Sequence, residues 1–390
     1  MQIKGNFICK ELVVNSREDF MQNQRVILPI EKIEQLWPQE LKNARIGALL
    51  HPASILPNYQ HTLDVLNEQN GKIFQLKALF GPQHGILGHT QDNMIEWEGY
   101  LDPELGIPVY SLYGEHRQPT KAMYEGLDAI LVDLQDVGAR YYTFIWSLYL
   151  CMKTAEETGI HIVVCDRPNP INSKDKEGPI LDLEYSSFVG LHSIPVRHGK
   201  NIGELAEQFK KECFPSVKLT VLEMENYDKS MWFDQTGLPW VLPSPNMPTL
   251  DTATVYPGMC LLEATNVSEG RGTTKPFELF GAPFIDANKF ASYMNSQNFP
   301  GVIFREAYFQ PTFHKGAGKI CAGLQYHVLD RDIFRSFEVT ISILRYLFHT
   351  YPEDFKWRTE AYEYEYDKLA IDILLGSKDY RLTEIEGKLP

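Results

Sequence analysis

Along this chain, residues able to bind or transfer protons recur in one kind of place, directly after a short apolar run. His51 and Ser54 follow Arg45-Leu50, the Gly81-Pro82-Gln83-His84-Gly85 turn follows Lys72-Phe80, and Asp133, Gln135, Asp136, Gly138, Arg140 and Tyr142 follow Asp128-Asp133. After Ile160-Asp166 come Arg167 and Asn169, then Glu177, and further on Arg197 and His198. A second concentration lies in Trp240-Pro283, where Pro243, Pro245 and Pro248 stiffen a non-helical segment carrying Ser244, Asn246 and Thr249. A loop with Asn266, Ser268, Glu269, Arg271, Thr273 and Thr274 follows, with Glu278 just beyond. Acids, guanidinium groups, amides and hydroxyls together suit a sugar or a carboxylate ligand. Taken singly, Asp133 and Asp166 read equally as helix caps or partners of a loop arginine, and His51, His84 and His198 as structural histidines. Loop residues of Trp240-Pro283 can also simply cap one another. The case for a site rests on convergence.

The elements that would bring these residues together alternate. Apolar strands at 45-50, 72-80, 128-133 and 160-166 are separated by helical spacing at Thr62-Gln69 and Trp146-Thr158. Alternating β and α segments with fully apolar strands predict an α/β fold with a Rossmann-like parallel sheet covered on both faces. In such sheets ligands bind beyond the carboxyl ends of the strands, which places the loops at 51-54, 81-88, 133-142 and 166-179 on one edge. Further helices are expected at Ile30-Asn43, Gly203-Cys213 (entered through Asn201), Asn288-Asn295, Phe334-His349 and Tyr362-Leu375, and strands at Lys218-Met224, Gly301-Arg305 and Cys321-Val328. The organisation expected is a leader over 1-44, a domain built on this sheet over 45-238 and a smaller α+β domain over 239-390. Tyr227, Trp232 and Trp240 suit either sugar stacking or interdomain packing.

A chain of 390 residues with 44% hydrophobic residues can bury a large core, and its net charge of -14 argues against nucleic acid as a partner. The six cysteines, Cys9, Cys151, Cys165, Cys213, Cys260 and Cys321, form no CxxC pair and are expected to be reduced. No metal-ligand spacing occurs, no GxGxxG or GxxxxGK[ST] marks a nucleotide, and no GxSxG marks a serine hydrolase. Neither a membrane span nor a signal-peptide apolar region is visible, so a soluble cytoplasmic protein is expected, or a periplasmic or secreted one if a leader has been removed.

Read in order, FGPQHG, PVYSLYG, DLQDVGARYYTF, DRPNP, EGPIL, VRHG, GLPWVLPSPNMPT, TNVSEGRGTTKPFELFGAP and LQYHVLDR resemble the exo-β-N-acetylmuramidase family of peptidoglycan-recycling glycosidases, from about residue 45 to the end. The resemblance implies a Rossmann-like domain, a smaller carboxy-terminal domain, a cleft that takes a muramyl saccharide or muropeptide, and no cofactor. Where the family typically reads GPEHG, with its best candidate for a catalytic acid, this chain has Gln83. Glycoside hydrolysis uses two carboxyl groups, and an amide cannot donate the proton. The resemblance therefore implies either that another acid serves, from Asp136, Asp166, Glu177, Glu269 and Glu278, or that the chain binds muramyl sugars with impaired turnover. Gln83 and His84 sit in the motif that holds the catalytic position. Ser54, Arg140, Tyr142, Arg167, Asn169, Arg197, His198, Asn246, Asn266, Arg271 and Glu278 are the expected substrate contacts, with Arg140, Arg197 and Arg271 facing the lactyl carboxylate.

Overall fold

Alternation within the apolar runs builds the frame. In a computed structural model describing residues 25–91 and 94–387, strands β1 (Ala44–Leu49), β2 (Phe74–Gly81), β3 (Tyr100–Leu101), β4 (Pro108–Ser111), β5 (Ala129–Val132), β6 (His161–Cys165) and β9 (Lys218–Leu222) form one sheet in the order β3-β4-β2-β1-β5-β6-β9. All neighbouring pairs are parallel except β3 with β4. Successive side chains point to opposite faces. Ile130 and Val132 accordingly join one core, shared with the carboxy-terminal region, while Ala129 and Leu131 join another, covered by Val26, Leu28, Ile30 and Trp37.

Strand β1 pairs with β2 on one side and β5 on the other, so the chain leaves it in opposite directions and the loops beyond β1 and β5 part to leave a crevice. Helices α1 (Thr62–Gln69), α2 (Phe144–Thr158) and α3 (Ile202–Glu212) supply the crossovers. A reciprocal cap starts α3: Glu204 N donates to Asn201 Oδ1 at 3.0 Å, and Asn201 N donates to Glu204 Oε2 at 3.2 Å. A small antiparallel pair, β7 (Glu177–Ile180) with β8 (Pro195–Arg197), stands beside the main sheet.

The carboxy-terminal region holds α4 (Leu250–Met259), a three-stranded antiparallel sheet of β10 (Leu279–Ala282), β12 (Cys321–Val328) and β11 (Val302–Phe309), then α5 (Ala287–Ser296), α6 (Ser336–Thr350) and α7 (Ala370–Leu375). Helices α4 and α6 meet at Gly258, where a Cβ would lie 2.1 Å from the Ser336 carbonyl oxygen. Absence of a side chain permits that approach, and Ser336 Oγ accepts from Gly258 N at 2.9 Å.

Two helix expectations are corrected. Ile30-Asn43 is not one helix but short pieces at Pro29–Lys32, Ile33–Leu36 and Gln39–Leu41. Pro38 forces Trp37 into an extended conformation and ends the turn before it. The last helix begins at Ala370, because Glu363 and Tyr364 are both left-handed, at φ 47° and 68°, within a tight Tyr362–Glu365 turn. Cys151, Cys165, Cys213, Cys260 and Cys321 are free thiols, and Cys9 lies outside the described residues. Among the described residues no helix is long and apolar enough to cross a membrane.

Candidate active site

The polar loops after the strands do converge on one sheet edge, where several of their residues lock the edge together. His51 Nε2 accepts from Gln135 N at 2.8 Å, Ser54 Oγ donates to the Asp133 carbonyl at 2.6 Å, and Thr143 Oγ1 donates to Gln83 Oε1 at 2.7 Å. Burial pushes His51 down to about 3, with Arg167 adding to the effect, so the ring is a neutral acceptor. Arg167 pairs with Asp133 at 2.5 Å and 2.9 Å, and Thr62 donates to the same carboxylate at 2.5 Å. Burial alone would raise the Asp133 carboxyl, but Arg167 and these hydrogen bonds outweigh it and lower it.

Other expected site residues are occupied in holding the fold. Arg140 is wholly buried and donates to the carbonyls of Pro179, Ile194 and Leu374, tying the first domain to α7. Arg197 pairs with Glu177 at 2.7 Å and donates to the Ile171 carbonyl, while the other Glu177 oxygen caps α6 by accepting from Phe337 N at 3.0 Å. Asp166 accepts from Asn201, Gly203 N and Arg167 N at the start of α3, and burial raises its carboxyl to about 7. Asn169 shapes a turn through Ile171 N and the Lys200 carbonyl. His198 Nε2 lies 3.0 Å from Asp136 Oδ2, which also accepts from Gly138 N. Asn266 is exposed and bonded to Asp354 and Lys356, and Glu278 pairs with Lys275 in a separate open depression between α4 and the end of β12. These residues do not line the cavity described next.

That cavity, a small one of about 30 Å³, lies where the two halves of the chain meet. Gln83, His84, Tyr142 and Thr143 form its sheet side, Ser244 and Asn246 reach it from the proline-rich segment, and Tyr256, Glu263, Arg271, Phe277, Tyr362 and Glu363 close it from the carboxy-terminal region. Three lining residues other than glycine are left-handed, His84 at φ 69°, Phe277 at 64° and Glu363 at 47°. Backbone strain of this kind collects at functional sites because it fixes where a side chain points. His84 Nδ1 lies 2.7 Å from the Thr90 carbonyl and so carries a hydrogen; Asn246 holds Gln91 through two hydrogen bonds.

Electrostatics divide the carboxyl groups of this wall, Glu263 and Glu363, and that of Glu269, which does not line the cavity. Arg271 donates to Glu263 Oε1 at 2.7 Å and its Nε lies 3.3 Å from Glu269, whose other oxygen meets Lys315 at 2.8 Å. Burial opposes charge on Glu269, yet Lys315, His314 and Arg271 prevail and hold its carboxyl far below the usual range. Glu363, by contrast, is buried with one phenolic donor, Tyr113, at 2.9 Å, and burial raises its carboxyl to about 7. Among the described residues no group of three or more His, Cys, Asp or Glu is arranged to hold a metal ion.

Sequence reasoning placed Gln83, His84, Tyr142, Asn246 and Arg271 here but passed over Glu263 and Glu363. Glu263 closes the apolar run Met259-Leu262, the same signal that drew attention to Asp133. Glu363 sits in the tyrosine-rich AYEYEY stretch, where nothing local announces a left-handed turn. Trp232 donates to Asp332 and Trp240 to the Met247 carbonyl; Tyr142, Tyr256 and Phe277 supply cavity rings instead.

Residues 46–251 match the family model for the amino-terminal part of exo-beta-N-acetylmuramidase NamZ, and residues 254–389 match that for its carboxy-terminal part. The chain is 43% identical over 383 residues to the peptidoglycan beta-N-acetylmuramidase NamZ of Bacillus subtilis (strain 168), covering 98% of this chain and 91% of the relative. Crystal structures of two DUF1343 family proteins from Bacteroides fragilis NCTC 9343 are similar. One has a TM-score of 0.81 at 32% identity over 92% of this chain and 91% of its own. The other has a TM-score of 0.69 at 30% identity over 93% and 92%.

Proposed function

The chain belongs to the exo-beta-N-acetylmuramidase NamZ family of glycosidases, and from that premise we propose that it releases terminal N-acetylmuramic acid from peptidoglycan fragments, in the cavity between its two halves. The observation that carries this reading is the cavity itself. Residues from both halves of the chain meet around it, and the carboxyl groups of Glu263 and Glu363 stand on its wall. Arg271 is the cavity guanidinium suited to the lactyl carboxylate that distinguishes muramic acid from glucosamine. Helix α2 begins at the same wall, and its amino terminus adds partial positive charge. Gln83 accepts from Thr143 through Oε1, which leaves its NH₂ to donate to a sugar oxygen. Rings of Tyr142 and Phe277 offer apolar faces for the sugar.

Gln83 also supports a second reading, a muramyl-sugar-binding protein with impaired turnover, because an amide stands where the family's glutamate is expected. Incubation with a muramyl-β-1,4-glucosaminide separates the two. Release of free N-acetylmuramic acid is the expected result; saturable binding without release supports the second reading, and neither binding nor release overturns both.

A further inference from the structure

Resting on the glycosidase reading, we infer that Glu363 is the proton donor of this site, serving the role for which Gln83 is chemically unsuited. Glu363 and Gln83 line the same cavity. The Glu363 backbone is held left-handed at φ 47°, a conformation costly for glutamate, and the neighbouring Tyr364 is left-handed too. Tyr113 donates to one carboxyl oxygen at 2.9 Å, and among the described residues the other oxygen takes no hydrogen bond. A general acid needs that arrangement: a fixed carboxyl with one oxygen free to reach the glycosidic oxygen.

The surroundings favour the protonated group up to about neutral pH. Burial raises its carboxyl to about 7, the hydrogen bond from Tyr113 works against this, the nearby Glu263 adds to the rise, and Arg117 and Arg358 lower it. Arg117 is spread over the Tyr364 ring at 3.8 Å and lies 5.0 Å from the Tyr113 ring centre and 5.7 Å from that of Phe188, so its charge is shared with π faces. Glu263, clamped by Arg271 and by Tyr362 at 2.9 Å, is placed to face the positive charge that develops at the anomeric carbon.

The step balances with water alone. Glu363 gives its proton to the glycosidic oxygen as the bond from that oxygen to the anomeric carbon breaks, its electron pair leaving with the oxygen. Water then adds its oxygen to the anomeric carbon, and its released proton returns through solvent to the Glu363 carboxylate. One water is consumed and each product gains a hydroxyl.

The isosteric variant Glu363→Gln tests this with two substrates. A muramyl-β-1,4-glucosaminide has a poor leaving group that needs the proton; 4-nitrophenyl β-N-acetylmuraminide has an activated one that does not. Hydrolysis of the first should fall by about 10²–10⁴-fold, the usual contribution of a general acid, with KM little changed. The second should fall by less than about 10-fold, and the loss of activity expected in the unaltered protein as pH rises past about 7 should vanish. Equal losses on both substrates, or a retained rate on the first, overturn the assignment. A second variant, Tyr113→Phe, removes a hydrogen bond that favours the carboxylate and should move that alkaline loss of activity to higher pH; an unmoved profile also overturns it. If the unaltered protein hydrolyses neither substrate, the glycosidase reading falls and this assignment with it, whereas turnover by the unaltered protein leaves the variants to judge Glu363 alone.

Discussion

Tyr362 donates its phenol to Glu263 Oε2 at 2.9 Å across 99 positions of sequence, so the residue beside Glu363 holds the other carboxyl group of the cavity wall. The tight turn at Tyr362–Glu365 thus fixes two carboxyl groups at once. One is set by its left-handed backbone, the other by a hydrogen bond from its neighbour. Both are buried, but their partners differ in kind: Glu263 meets a guanidinium and a phenol, while Glu363 meets a single phenol. Pairs of carboxyl groups made unlike in this way are how a site assigns acid and charge-stabilising roles.

Tyr362→Phe should therefore impair turnover more than binding. Losing one hydrogen bond to a charged partner costs about 1.5–3 kcal/mol, and here the loss loosens Glu263 relative to Glu363. The expected result is kcat for the muramyl-glucosaminide lower by about 10-fold or more, with KM within about 3-fold. A variant with unchanged kcat would show that Glu263 is held well enough by Arg271 alone.

Gln83→Glu discriminates between positions 83 and 363. With Glu363 as the acid, the substitution adds a carboxyl where none is needed, and turnover should stay within about 3-fold of the unaltered protein. An increase of about 10² or more, the lower range of general acid catalysis, would show that position 83 is the place of the acid and that this chain lacks it.

Much of this architecture is legible in the sequence because burial on both faces demands continuous apolar strands, and those at 129–132 and 161–165 have no other reading. Their polar successors then fall at one sheet edge by topology. What the sequence hides is which polar residues face the cavity and which face one another. Arg140 and Arg271 look alike as letters in matched motifs, yet one ends on three backbone carbonyls and the other on the cavity wall. Glu363 was illegible for a different reason. Its role depends on a positive φ, and a stretch alternating tyrosine and glutamate next to apolar Ala370-Leu375 reads more naturally as the start of a helix than as a strained turn.

Arg140→Ala should be a stability variant. Removing the guanidinium takes their donor from the buried carbonyls of Pro179 and Leu374 and leaves that of Ile194 only Leu181 N at 3.2 Å. Each orphaned buried acceptor costs about 1–3 kcal/mol, so a total above about 3 kcal/mol is expected. Denaturant unfolding measures this, and the folded fraction should keep its affinity for N-acetylmuramic acid.

Asp166→Asn reports on pH. The Asp166 carboxyl is raised by burial to about 7 from an ordinary 3.8, with Glu204 and Glu207 adding to the rise and hydrogen bonds from Gly203 N and Arg167 N opposing it. The folded protein then binds more protons than the unfolded chain between about pH 4 and 7, so this group's contribution to stability declines as pH rises through that window. Asparagine cannot titrate. Thermal unfolding at pH 4, 5.5, 7 and 8 should show the variant losing ground to the unaltered protein at low pH and recovering, relative to it, towards pH 8. A difference that stays constant across the series would mean that Asp166 is charged throughout.

Arg271→Lys tests how the site recognises muramic acid. Alanine would leave Glu263 and Glu269 facing each other without their shared cation, and loss of folding would obscure specificity. Lysine keeps the positive charge but not the planar fork that reaches two carboxyl groups at once. Substrates ending in N-acetylmuramic acid and in N-acetylglucosamine differ by the lactyl group, so the ratio of their kcat/KM values isolates the contact. If Arg271 binds the lactyl carboxylate, the charge-assisted bond contributes about 1.5–3 kcal/mol, and the preference for muramic acid should shrink by about 10- to 150-fold. The loss should come from the muramic acid substrate, with the glucosamine substrate nearly unaffected. Should both substrates weaken equally, Arg271 acts through Glu263 and Glu269, and the lactyl group is recognised elsewhere, the amino terminus of α2 being the next place to look.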